Sequence, residues 1–323
     1  MQTFDPPRLF RSRHVQSVFG SIGLRRRRVR RAAQPLLRAS VDEVLECGEG
    51  VRLLSQHNAP KLPTDRRIAV IIHGWEGSSD STYVLSIATR LWQQGYRIIR
   101  LNLRDHGDSH HLNRDIFHSC RIDEVVGALA NIRLRYPDDP IYLCGYSLGG
   151  NFSLRVASSD RASDLNIAGV AAVCPVMKPV ETMAALDGGW FVYRRYFLRR
   201  WRNSLLRKQA AFPDVYDFSR LERFSTLTAM TDYFVTHYTG YPDLYAYLNG
   251  YALTDGRLEH LCAPARVLLA QDDPIIPVAA SSQLFASDYL HMTHSQYGGH
   301  CGFLGDFGPH SYADDFIERA FSA

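Results

Sequence analysis

Ile141-Tyr142-Leu143-Cys144-Gly145-Tyr146-Ser147-Leu148-Gly149-Gly150 decides how the rest of this chain is read. Its first four residues are an apolar run of the kind that fills a buried strand, and Gly145 to Gly149 spell G-x-S-x-G. When a strand turns sharply into a helix, a serine at the apex is held in a strained backbone conformation, and flanking residues without side chains keep the turn free of clashes. Gly145 and Gly149 supply that space, with Gly150 beside them, and Ser147 becomes a candidate nucleophile. The same glycines could serve packing alone, so the reading needs partners elsewhere in the chain.

A serine hydroxyl needs a base and a group to orient that base. Downstream, the strand-like Ala265–Ala270 leads into Gln271-Asp272-Asp273-Pro274-Ile275-Ile276-Pro277, and Thr293–Tyr297 leads into Gly298-Gly299-His300-Cys301-Gly302-Phe303. Ser, Asp, His is the chain order of α/β-hydrolases and differs from the orders of chymotrypsin-like and subtilisin-like enzymes. Of the two adjacent carboxylates, Asp273 lies four residues before the proline expected to open the next helix, and it is read as the acid. Asp272 is the runner-up, read as a turn residue bonded to local backbone. His300 is favoured over the other histidines because it follows a late strand among glycines.

An acyl-transfer site also needs donors for a developing oxyanion. Ile68–Ile72 is unbroken apolar sequence, as expected of a buried parallel strand, and it ends in His73-Gly74-Trp75-Glu76-Gly77. The backbone N–H groups of Trp75 and Leu148 are assigned as the donors. His73 is read as a backbone brace rather than a catalytic group.

The motifs Gly145–Asn151, His73–Ser78, Asn102-Leu103-Arg104-Asp105-His106-Gly107-Asp108-Ser109 and Gly298–Phe303 together resemble the YheT-like branch of the α/β-hydrolases. Arg13-His14-Val15-Gln16-Ser17 is similar to the "HLQT" element that opens that branch, with Val15 and Ser17 where Leu and Thr are favoured. The resemblance runs from about His14 to about Phe303. It implies Ser147, Asp273 and His300 as the catalytic group. Eukaryotic relatives of the branch are abhydrolase-domain esterases and lipases of lipid membranes.

The expected fold is a mostly parallel central sheet flanked by helices. An opening hairpin spans Val41–Cys47 and Val51–His57, and strands follow near Ile68–Ile72, Ile98–Leu103, Ile141–Cys144, Ile167–Cys174, Val267–Ala270 and Met292–Tyr297. Helical patterns cover Thr82–Gln94, Glu124–Arg135 and Ser311–Phe321. Residues 1–40 are read as a basic extension packed on the core, 41–174 and 262–323 as the core, and 175–261 as a helical cap inserted after the sixth strand and lying over Ser147. In the cap, Trp190, Tyr193, Phe197, Trp201 and Leu205 share one helical stripe and Arg195, Arg199 and Arg202 another. The aromatics are expected to face the pocket and the arginines water.

A chain of 323 residues with 46% hydrophobic content can bury a large single core. It has no apolar run of about 18 residues, and Met1–Pro7 lacks the pattern of a secretory signal. The six cysteines form no C-x-x-C pair and are expected to be reduced. These features point to a cytoplasmic protein, with the basic run Arg25–Arg31 and the cap arginines allowing weak contact with the anionic inner membrane surface. A net charge of +4 and no recognisable nucleic-acid module argue against a nucleic-acid partner. His106, His110 and His111 lack accompanying ligands, so neither a metal nor a cofactor is expected. The sequence therefore predicts a metal-free serine hydrolase of small-molecule esters with apolar acyl groups. Acyltransferase chemistry, suggested by the H-x-x-x-x-D pairs His110/Asp115 and His118/Asp123, thioesterase or peptidase chemistry, and a non-catalytic scaffold are the alternatives.

Overall fold

The computed structural model describes residues 4–61 and 66–322. Met1–Thr3, the start of the stretch read for a signal, lie outside the described residues. Eight strands form one sheet: β1 Val41–Glu46, β2 Arg52–Asn58, β3 Ile68–Ile72, β4 Arg97–Leu101, β5 Ile141–Tyr146, β6 Ile167–Val173, β7 Ala265–Ala270 and β8 Leu290–Ser295. Their spatial order is β1-β2-β4-β3-β5-β6-β7-β8. The β1–β2 and β2–β4 pairs are antiparallel and all later pairs parallel.

Side-chain alternation explains why the central strands read as continuous apolar runs. Ile68, Val70 and Ile72 of β3 enter one core layer while Ala69 and Ile71 enter the other, and β5 divides likewise, with Leu143 on one face and Cys144 on the other. Helices α1 Arg13–Phe19, α2 Gly23–Ala32 and α3 Gln34–Arg38 precede the sheet. Next come α4 Thr82–Gln93, α5 Ile122–Arg135 and α6 Leu148–Ala157. One face is covered partly by α4 and by the closing helix α11 Tyr312–Ser322, through residues such as Ile87, Leu91, Phe316 and Phe321. The other is covered by α5 and α6, through residues such as Val125, Leu129, Phe152 and Leu154.

Between β6 and β7 the chain leaves the sheet for α7 Pro179–Gly188, α8 Phe191–Ala211, α9 Leu227–Tyr238 and α10 Leu244–Gly250. Leu186, Trp201, Leu205, Met230 and Phe234 of these helices belong to the same buried cluster as Leu148 and Val176 beside the elbow. The helical excursion thus shares the core of the sheet instead of building its own.

Candidate active site

Ser147 occupies the corner between β5 and α6 with φ 54° and ψ −118°, a conformation rare for a residue bearing a side chain. Its backbone is held from both sides: Ser147 N–H donates to the Val173 carbonyl at 2.9 Å, and Asn151 N–H donates to the Ser147 carbonyl at 3.1 Å. The glycines are required. A Cβ on Gly145 would stand 2.1 Å from the Gly149 carbonyl oxygen, and one on Gly149 would stand 2.2 Å from the Ile72 carbonyl oxygen. The elbow can therefore pack against the end of β3 only with hydrogen at both positions.

The structure places Asp273, not Asp272, against the histidine. His300 Nδ1 donates to Asp273 Oδ2 at 2.9 Å, while Asp273 Oδ1 accepts from the amides of Ile275 and Ile276 at 2.8 and 3.0 Å. The carboxylate is thus fixed before it meets the ring. Pro277 does open a helix, but a short 3₁₀ one, Val278–Gln283. Asp272 sits in the turn the sequence suggested, but its side chain reaches beyond it: Oδ1 accepts from the Gly299 amide at 2.8 Å and so holds the histidine loop. His300 and Ser147 are brought together as walls of one cavity, and His300 and Asp273 by a hydrogen bond.

Trp75 and Leu148 line the same cavity. Among the described residues neither backbone N–H has an acceptor, which leaves two free donors flanking Ser147. Leu148 owes this to its place at the first position of α6. The Trp75 loop is held by two buried imidazoles whose rings lie 4.8 Å apart. His73 Nε2 accepts from Leu103 N–H at 3.2 Å and its Nδ1 pairs with the Gly74 carbonyl at 2.7 Å. His106 Nε2 accepts from Glu76 N–H at 3.2 Å and its Nδ1 pairs with the Arg104 carbonyl at 2.7 Å. Burial pushes His73 down to about 4, so it stays neutral and braces backbone. The same desolvation lifts the carboxyl of Glu76, on this loop, to about 7, against the opposing charges of Arg200 and Arg207.

The cavity measures about 540 Å³ and is lined by Tyr193, Phe197 and Trp201 of α8, within the range of small-molecule sites. Phe197 stacks on Trp75 at 5.3 Å between ring centres. The aromatic stripe of α8 faces inward as expected, except that Trp190, at the helix start, is 42% exposed. Arg195 and Arg199 face water as expected, whereas Arg202 is half-buried and donates to the Phe224 carbonyl. In the other basic run, Arg25 is buried, its Nη1 donates to the Gly20 carbonyl at 2.5 Å, and Arg26 and Arg30 reach the cavity wall.

Three features escaped sequence reasoning. The first is the work of the N-terminal motif: Ser17 Oγ accepts from the His300 amide at 2.8 Å, and Gln16 exchanges hydrogen bonds with the backbone of Leu304 at 2.6 and 3.0 Å. A hydroxyl is what that position needs, which Ser17 supplies as well as Thr. The second is Lys208, buried in α8, whose Nζ donates to Asp105 Oδ1 at 2.9 Å and to the carbonyls of Asn113 and Asp115 at 2.6 and 2.9 Å. The third is Cys301, which shares the cavity wall with His300. Burial opposes ionisation of its thiol, but the hydrogen bond from Cys174 and the charge of His300 bring it down to about 6. Burial likewise opposes charge on His300, yet the Cys301 sulfur and the Asp273 carboxylate together raise it well above the ordinary imidazole value. All six cysteines are free thiols.

The pairs His110/Asp115 and His118/Asp123 do not come together. His110 bonds to Ser204 at 3.0 Å, and His118 packs edge-on against Tyr241 and Tyr247. Among the described residues no helix is long and apolar enough to cross a membrane.

A nucleophile elbow, an Asp-held histidine and a mostly parallel sheet with antiparallel strands at one end define an α/β-hydrolase. A family model described as the alpha/beta hydrolase fold matches residues 70–306, and the chain belongs to that family. Within it the chain is YheT-like. It is 26% identical over 267 residues to the candidate esterase YheT of Escherichia coli, covering 80% of this chain and 76% of that one. It is 25% identical over 284 residues to ABHD15 of Homo sapiens, covering 86% of this chain but 58% of the human protein. An esterase of Pyrococcus furiosus has the same fold, with a TM-score of 0.58 across 99% of both chains at 14% identity.

Proposed function

We propose that the protein is a serine esterase that cleaves carboxylic esters of apolar acyl groups through an acyl-enzyme intermediate. The observation that carries this reading is the strained Ser147 at the elbow, sharing a cavity wall with an imidazole that Asp273 holds by its Nδ1. Ser147 Oγ attacks the acyl carbonyl while His300 Nε2 takes its proton, and Asp273 stabilises the imidazolium. The amides of Trp75 and Leu148 receive the oxyanion. His300 then protonates the leaving alcohol, and a water activated by the same ring releases the acid. The wall from α7 to α9, with Met183 and Leu186 of α7 beside the aromatics of α8 and Phe234 of α9, favours an apolar acyl chain, and medium-chain esters are the first expectation. Relatives named as a candidate esterase and, in Bos taurus, as a phospholipase agree with ester chemistry. Residues 175–261 would then act as the cap, and 1–40 as an extension that steadies the histidine loop.

The test is Ser147→Ala. It is expected to abolish p-nitrophenyl ester turnover and labelling by a fluorophosphonate while keeping the circular dichroism of the parent. Retained labelling with full activity would place the nucleophile elsewhere.

A further inference from the structure

The sulfur atoms of Cys174 and Cys301 and a ring nitrogen of His300 all lie within 4.8 Å of one another. Cys174 follows the end of β6, and the other two sit in the loop after β8, so the fold brings them together from opposite sides of β7. Two thiols and an imidazole are a donor set that suits Zn²⁺. Zn–S and Zn–N bonds of about 2.3 and 2.0 Å at tetrahedral angles put donors roughly 3.5–3.8 Å apart, so a closure of about 1 Å completes the set. The ring is already fixed in its plane, because Asp273 accepts from Nδ1 at 2.9 Å. Entry is open as well, because His300 and Cys301 line the cavity while Cys174 lies fully buried behind them.

We propose that Cys174, His300 and Cys301 form an inhibitory binding site for a thiophilic divalent cation, with Zn²⁺ the ion that fits. Binding releases one proton from the Cys174 thiol and one from the Cys301–His300 pair, so the dication is balanced by two thiolates and no redox step is involved. Three protein ligands leave a fourth position toward the cavity. A neutral ring that ligates the ion has no lone pair left at Nε2 with which to accept a proton from Ser147. Mg²⁺ and Ca²⁺, which prefer oxygen ligands, do not compete. The inhibition rests on the ester reading, whereas occupancy does not, because it can be read without turnover.

Co²⁺ is the direct probe, in buffer reduced with a non-chelating phosphine to keep the thiols from oxidising. The wild-type chain is expected to bind one equivalent with a thiolate-to-cobalt charge-transfer band and tetrahedral visible absorption, both lost when one equivalent of Zn²⁺ is added. Cys174→Ser and Cys174→Ala, checked for fold by circular dichroism, should lose the band and weaken Zn²⁺ by about tenfold or more. If ester turnover is present, Zn²⁺ should inhibit it, EDTA restore it and Mg²⁺ leave it unchanged, with half-inhibition of Cys174→Ser shifted by the same factor. Absence of a thiolate band in the wild type, or Zn²⁺ affinity in both Cys174 variants equal to that of the wild type, would overturn the site.

Discussion

Lys208→Met tests what ties α8 to the sheet. The side chain is fully buried, and its ammonium is the partner of the Asp105 carboxylate and of the Asn113 and Asp115 carbonyls. Met fills much of the same volume but leaves Asp105 with one strong donor, the Phe117 amide at 2.8 Å, and leaves the Asn113 carbonyl without its donor, while the Asp115 carbonyl keeps Arg104 Nη1 at 2.9 Å. Removing one partner of a buried pair costs about 3–5 kcal/mol, of which the Asn113 carbonyl accounts for about 1–3. Adding Asp105→Asn removes the stranded charge but not the carbonyl loss, so the double variant should recover roughly 1–2 kcal/mol and no more. The pH dependence has a fixed sign. Burial already holds Asp105 above the ordinary carboxylate range, despite the pull of Lys208, and loss of the lysine raises it further. Between the unfolded and folded values the native state then binds more protons than the unfolded chain, so the stability of Lys208→Met falls as pH rises through the folded value and levels off above it. Urea titration followed by tryptophan fluorescence reports this, since Trp75 and Trp201 lie in the cavity that α8 covers. A loss under about 1 kcal/mol, or a double variant no better than the single one, would refute the anchoring argument.

Other outcomes follow from the same geometry. Asp273→Asn should cut ester turnover by about 10²–10⁴-fold, because an asparagine that keeps its oxygen on the Ile275 and Ile276 amides turns its NH2 donor to the ring and imposes the wrong tautomer, whereas Asp272→Asn keeps an acceptor for the Gly299 amide and should cost far less; equal losses in steady-state assays would remove Asp273 from its role. The acid limb of kcat/KM on a neutral ester, measured with EDTA present, should lie above the ordinary imidazole value near 6.5: the base must be neutral, and the raised His300 value delays its deprotonation. A limb below that value contradicts the charge environment described. Ser17→Ala should lower kcat by about tenfold, equivalent to roughly 1.4 kcal/mol for the unpaired His300 amide, with KM little changed and activity kept in Ser17→Thr; if the threonine variant does no better than alanine, Ser17 does not position the loop.

What the sequence made legible were features written in local pattern. The β5 elbow could be read because its glycines answer to contacts within a few residues and to the end of β3, and the central strands because both of their faces are buried. Edge strands carry a weaker signal. β8 was expected near Met292–Tyr297 and is observed at Leu290–Ser295, since it exposes His291, Met292 and His294 and so lacks the unbroken apolar run of its neighbours. β4 was expected to reach Leu103 but stops at Leu101, where the Leu103 amide turns to the His73 ring, a long-range choice that no propensity records. The unread parts of the site share that character. Ser17 meets His300 across 283 positions, Lys208 meets Asp105 across 103, and Cys174 meets Cys301 only because β7 is flanked by β6 and β8. In the sequence Lys208 is one cation at the end of an arginine-rich helix. Burial turns it into a specific partner, since a compact ammonium can reach a carboxylate and several carbonyls in a space where a planar guanidinium could not turn to all of them.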